Sequence, residues 1–167
     1  IYVGNGYSGG TRVPVYKSLD GGVSWNESFQ GIAPLVFKVN SIWGFPSGDL
    51  IVAGYSSWVR HYSGAGFTEL YPDPANPNAE TDLERLWAAA PDDVYAVGSS
   101  ALVYHFDGTA WSPVSLDPLS FPHSFRFYGI WGLGPDNIFI AGDAGTVLHY
   151  DGTTWRDMNT GIGEDLY

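Results

Sequence analysis

The sequence predicts an all-β fold assembled from repeated four-stranded antiparallel units, on three observations. The first is a repeat. Gly129-Ile130-Trp131-Gly132-Leu133-Gly134-Pro135-Asp136 runs on into Asn137-Ile138-Phe139-Ile140-Ala141-Gly142. It matches Leu86-Trp87-Ala88-Ala89-Ala90-Pro91-Asp92 with Val94–Gly98, and Ile42-Trp43-Gly44-Phe45-Pro46 with Leu50–Gly54. Trp43, Trp87 and Trp131 are 44 residues apart, Gly54, Gly98 and Gly142 follow them by 11, and His61, His105 and His149 follow by 18. Three columns in register without a gap make this a repeat protein. The second observation is that each unit holds four short apolar segments. The third is that Pro-Asp, Gly-Asp, Gly/Ser and Asp-Gly turn signals separate them, with almost no helical period anywhere.

Taken in order, Ile1–Gly4 resembles Val94–Gly98 and reads as the second strand of a unit. The Gly-rich excursion Asn5–Arg12 leads to the strand Val13–Lys17, whose Pro14 suits an edge. In the last unit the segments A to D are 128–133, 137–142, 146–150 and a fourth starting at Trp155. Strands B are predicted near 50–54, 94–98 and 138–142. Only Ala79–Ala90 reads as briefly helical, in a connection from D to A.

Four strands in about 44 residues is the arithmetic of a β-propeller, in which blades stack around an axis and aromatic residues fill the gaps between them. A partial blade (1–40) would be followed by blades at 41–80, 81–124 and 125–167, about four in one segment. The first unit lacks its strand A, so the rest of a longer parent chain, or a second copy, is expected to complete the propeller.

One stretch is more specific. Ser18-Leu19-Asp20-Gly21-Gly22-Val23-Ser24-Trp25 resembles the Asp-box, Ser-x-Asp-x-Gly-x-x-Trp, of bacterial neuraminidase repeats. Asp20 can bond backbone amides across the turn, Gly22 supplies an unusual backbone angle and Trp25 anchors the next strand. Asp107-Gly108-Thr109-Ala110-Trp111 and Asp151-Gly152-Thr153-Thr154-Trp155 are looser versions. The chain is thus similar to the Asp-box and Trp-Gly repeat propellers of bacteria, an architecture shared by sialidases, xyloglucan-degrading hydrolases and lectins. That resemblance implies an extracellular, cell-surface or periplasmic scaffold and leaves the activity open.

Composition narrows the rest. A net charge of −11 with seven Lys and Arg is a poor footprint for nucleic acid or an anionic membrane. The apolar runs are too short to span a bilayer. Without cysteine there is neither a disulfide framework nor a thiolate metal site, and the sequence calls for no cofactor and no metal. His61, His105 and His149 sit on separate repeats, so structural bonding to backbone is expected rather than metal ligation. Trp43, Trp87 and Trp131 read as packing between blades. Asp20, Asp107 and Asp151 occupy turns, which explains them without catalysis. The arginines are scattered, so the sialidase-specific pattern fails, and no nucleophile elbow or phosphate loop appears.

Strand alternation puts the A–B and C–D turns at one end of the blades and the irregular B–C turns and D–A connections at the other. Variable loops on a rigid scaffold carry binding. Tyr55 and Trp58 depart from the repeat at one B–C turn, and with Asn76 and Asn78 they could stack and hydrogen-bond a sugar. Trp58 could equally cover the neighbouring blade. Asn5, Tyr7 and Arg12 form a second candidate patch. The expected function is a non-catalytic module that binds a glycan or a protein. The alternatives are a piece of an Asp-box glycoside hydrolase and an architectural component of a larger assembly.

Overall fold

A computed structural model describes residues 2–4, 15–27, 39–55, 58–63, 66–70 and 81–167. These residues form a β-propeller segment of four sheets, and among them there is no α-helix. Blade 1 holds β1 (Tyr2–Gly4), β2 (Val15–Lys17) and β3 (Asn26–Glu27). Blade 2 holds β4 (Val39–Gly44), β5 (Leu50–Gly54), β6 (Val59–Tyr62) and β7 (Phe67–Leu70). Blade 3 holds β8 (Leu83–Ala90), β9 (Asp93–Gly98), β10 (Val103–Phe106) and β11 (Trp111–Pro113). Blade 4 holds β12 (Phe127–Gly134), β13 (Asn137–Gly142), β14 (Val147–Tyr150) and β15 (Trp155–Asp157).

Within each blade every strand pairs antiparallel with its neighbour in sequence, so each blade is a simple meander. The first strands of successive blades meet, β4 with β8 and β8 with β12, as in blades fanned round an axis.

Register explains where the core lies. Side chains alternate across a strand, and directly paired residues share a face. In blade 3, Trp87, Tyr95 and His105 share one face; Leu86, Ala96 and Tyr104 share the other. The first face meets Ile138, Ile140, Leu148 and Trp155 of blade 4. The second meets Ile51, Ala53 and Val59 of blade 2. The core is therefore a series of interblade layers. Fully burying side chains of this kind contributes about 1.5–3 kcal/mol each.

The repeat columns now have causes. Trp87 is 4% exposed, and its ring lies where a Cβ on Gly132 of the next blade would sit, 2.5 Å from Cζ2. Only a residue without a side chain makes that socket. Gly98 and Gly142 are closely approached by the start of their own strand A, and a Cβ there would overlap the carbonyls of Asp82 and Arg126.

Two expectations need correction. Leu83–Ala90, read within a helical stretch, is strand β8. Both faces of this inner strand are covered, with Leu83, Leu86, Trp87 and Ala88 all buried, so the alternation that marks a half-buried strand is lost. Trp131, expected as packing between blades, is 56% exposed. It sits on the outer face of blade 4, which no other blade among the described residues covers.

Candidate functional site

The two ends of the blades are chemically different. At the A–B and C–D end, aspartates hold tight turns. Asp107 Oδ1 accepts from the amides of Thr109 and Ala110, both at 2.9 Å. Asp151 Oδ1 accepts from the amides of Thr153 and Thr154 at 3.0 Å and from the Thr153 hydroxyl at 2.6 Å. Arg156 adds an ion pair to Asp151 at 3.1 Å.

In blade 1 the Ser18–Trp25 turn closes on itself. Asp20 accepts from the Ser18 hydroxyl at 2.8 Å and the Ser24 amide at 2.9 Å, and the Gly22 amide donates to Ser18 Oγ at 2.7 Å. Trp25, expected to bury its ring, is 40% exposed and donates its indole N–H back to the Gly22 carbonyl at 3.1 Å. Trp111 and Trp155 are buried.

All three carboxyls are held below the ordinary range by these bonds. The Ser24 hydroxyl does most at Asp20, the Ala110 amide at Asp107 and the Thr153 hydroxyl at Asp151. An acid pinned in its ionised form is the opposite of a general acid.

The B–C and D–A end is varied. Ser99 Oγ accepts from the Asp82 amide at 2.7 Å, and the Ser99 amide donates to the Asp82 carbonyl at 2.9 Å. Asp143 repeats the clamp one blade on, its Oδ2 accepting from the Arg126 amide at 2.7 Å. Position 55 is the equivalent place in blade 2, where Tyr55 is 48% exposed.

The connection after β11 is a packed plug. Phe121 and Phe125 lie 4.9 Å apart by ring centroid, and Phe121 meets Phe127 edge-on at 5.4 Å. Arg126 pairs with Glu84 at 3.0 Å across blades 3 and 4.

On blade 4 the same end carries an aromatic and acidic cluster. The rings of Tyr128 and Tyr167 lie 4.7 Å apart, and Leu166 N donates to the Gly142 carbonyl at 3.0 Å. Asp165 accepts from the Ala144 amide at 3.0 Å. Tyr128 is hydrogen-bonded to the Asp143 carboxylate, which, with some burial, pushes its phenol up to about 12. Tyr167 is 86% exposed.

The residues singled out in the sequence fare differently. Asn5, Tyr7, Arg12, Asn76 and Asn78 lie outside the described residues. Trp58 is 4% exposed, packed with Val15, Val39, Leu50 and Val52, and covered by the Arg60 guanidinium at 4.8 Å from its ring. It therefore belongs to the core between blades 1 and 2, and the stacking pair with Tyr55 is not formed. Trp43 is half-buried against the layers on either side of blade 3.

Two of the three repeated histidines bond to side chains where backbone partners were expected, and the buried Nε2 of His61 has no hydrogen-bond partner among the described residues. His105 Nε2 meets Asp93 Oδ1 at 2.7 Å and His149 Nε2 meets Asn137 Oδ1 at 2.9 Å. Each ring stacks on the aromatic beside it, Tyr95 at 4.3 Å and Phe139 at 4.4 Å. His61 occupies the same place in blade 2, paired across the sheet with Ile51.

Two concavities escaped the sequence. One, of about 320 Å³, runs between blades 3 and 4 and is lined by Tyr95, His105, Ser115, Asp117, Tyr150 and Trp155, with Val114, Thr153 and Thr154. The other, of about 390 Å³, lies on the outer face of blade 4 beside Trp131, Phe139, Val147 and Tyr167.

No family model matches the chain, and no curated protein does. Solved structures do. A structure of YCF48 bound to D1 peptide superposes with a TM-score of 0.64 at 15% identity over 91% of this chain and 48% of that one. YCF48 from Cyanidioschyzon merolae gives 0.67 at 11% identity over 94% of this chain and 57% of that one. The chain thus spans about half the length of these two structures. At such identities the likeness is one of fold, and the chain shares the β-propeller fold of YCF48.

Proposed function

We propose that this chain is a non-catalytic, protein-binding propeller module that takes its partner on the B–C and D–A end of its blades. The observation that carries this reading is the contrast between the two ends. One is tied down turn by turn through Asp107 and Asp151; the other presents Tyr128, Asp143, Asp165 and Tyr167 on a rigid frame. A similar propeller, YCF48, has been seen with a peptide bound, which supports a polypeptide partner. Trp58, one of the two rings that could stack on a sugar, is buried, which favours a polypeptide over a glycan. The test is a selection for ligands in parallel on a displayed random-peptide library and on a glycan array. Saturable peptide binders are expected, and binding by glycans alone would overturn the reading.

A second reading rests on Trp131. We propose that a further blade of the same repeat covers the outer face of blade 4. Trp131, Phe139, Ala141 and Val147 stand where Trp87, Tyr95, Val97 and Val103 are buried by blade 4. The covering blade would need a small residue opposite Trp131, as Gly132 is opposite Trp87.

A further inference from the structure

We infer that the groove between blades 3 and 4 is a binding site for a guanidinium group, an arginine side chain presented by the protein partner. This rests on the protein-binding function proposed above and adds the partner's chemistry. Three segments far apart in sequence build the groove. Blade 3 contributes Tyr95 with His105 stacked on it at 4.3 Å. Blade 4 contributes Tyr150 stacked on Trp155 at 5.0 Å. The connection after β11 closes one end with Ser115 and Asp117, whose carboxylate accepts from the Ser115 hydroxyl at 3.1 Å.

Each feature of the lining selects the same ligand. Aromatic rings on both walls attract a flat, weakly hydrated cation, which guanidinium is and ammonium is not. Asp117 is exposed at the mouth and offers a carboxylate edge for paired N–H donors. A second carboxylate, Asp93, lies behind His105 at 2.7 Å. Among the described residues no lysine or arginine lines the groove; Arg156, in the neighbouring turn, is engaged with Asp151. At about 320 Å³ the space is at the small end of ligand sites, right for one side chain and short for an oligosaccharide. The chain's net charge of −11 draws a basic partner toward it.

Ser115 and Asp117 bring the D–A connection of the irregular end to the groove, and Thr153 and Thr154 bring the C–D turn of blade 4 to it. A polypeptide on the irregular end that extends one arginine past Ser115 and Asp117 enters it. The equivalent position between blades 2 and 3 has Ile51 in place of Tyr95, so one aromatic wall is missing there.

The test uses the whole chain, ¹⁵N-labelled, titrated with N-acetyl-arginine-N-methylamide. Its uncharged isostere, the citrulline derivative, and methyl β-glucoside serve as comparisons. Saturable shifts of the Trp155 indole N–H and of the Ser115, Asp117 and Thr154 amides are expected with arginine alone. Asp117→Asn weakens that binding about fivefold, and Asp117→Lys abolishes it with the spectrum otherwise unchanged. Silence at these resonances, equal binding of citrulline, preference for the glucoside, or indifference to both substitutions overturns the inference. Selected peptides that bind the irregular end while arginine leaves the groove silent would remove this inference and leave the function standing. Arginine binding without any peptide ligand would do the reverse.

Discussion

Tyr128 and Asp143 show how a single pair at the irregular end couples structure to pH. The carboxylate accepts the phenol proton of Tyr128, so ionising the phenol would place two negative charges together, and the tyrosine is pushed up to about 12. Its folded value lies above the ordinary tyrosine value of about 10. The stability it contributes is complete below about pH 10 and is lost as pH rises toward 12. An ultraviolet titration at alkaline pH checks this. Tyr128→Phe should remove a group that ionises near 12, and Asp143→Asn should bring that group back toward 10. Loss of a group that ionises near 10 in Tyr128→Phe would show that the bond is not made. In the sequence, Asp143 is only the residue that stands where the earlier repeats carry Tyr55 and Ser99. What it does became visible once the clamp on Arg126 and the approach of Tyr128 were placed.

At the scale of the element, a tryptophan in one blade is answered by a missing side chain in the next. Gly132→Ala puts a methyl group 2.5 Å from the Trp87 ring, with β8 and β12 packed on either side of the contact. Overpacking of this kind costs about 1–3 kcal/mol. Urea unfolding should report that loss, and a second change, Trp87→Phe, should restore part of it by vacating the space. An unaffected midpoint in Gly132→Ala would mean that the socket is loose.

The strands themselves were readable, because the 44-residue register and the turn residues agree unit after unit. Strands B at Leu50–Gly54, Asp93–Gly98 and Asn137–Gly142 coincide with the apolar segments of the repeat. Leu83–Ala90 was misleading for a physical reason. An inner strand apolar on both faces offers Leu83, Leu86 and Trp87 at spacings that also suit a helix.

For the whole molecule, the open face of blade 4 sets the first expectation. In a chain extended by a further repeat, Trp131 should fall from 56% exposure toward the 4% of Trp87, with blue-shifted emission and weaker acrylamide quenching. Unchanged quenching in such a chain would show that something else covers the face. The candidate site was legible only in part. The irregular end could be picked out because its residues break the repeat: Tyr55 against Ser99 and Asp143, for instance. The groove could not, since Tyr95, Asp117 and Tyr150 belong to separate units and meet only when blades 3 and 4 stack.

Binding of a polypeptide on one end of the propeller's blades is tested by the footprint of a selected peptide on the amide spectrum. Shifts are expected at Ser99–Leu102, at Tyr128, Asp143 and Ala144, and at Asp165–Tyr167, with Asp92, Asp93 and Asp107–Ala110 unmoved. A footprint centred on those aspartate turns would contradict it.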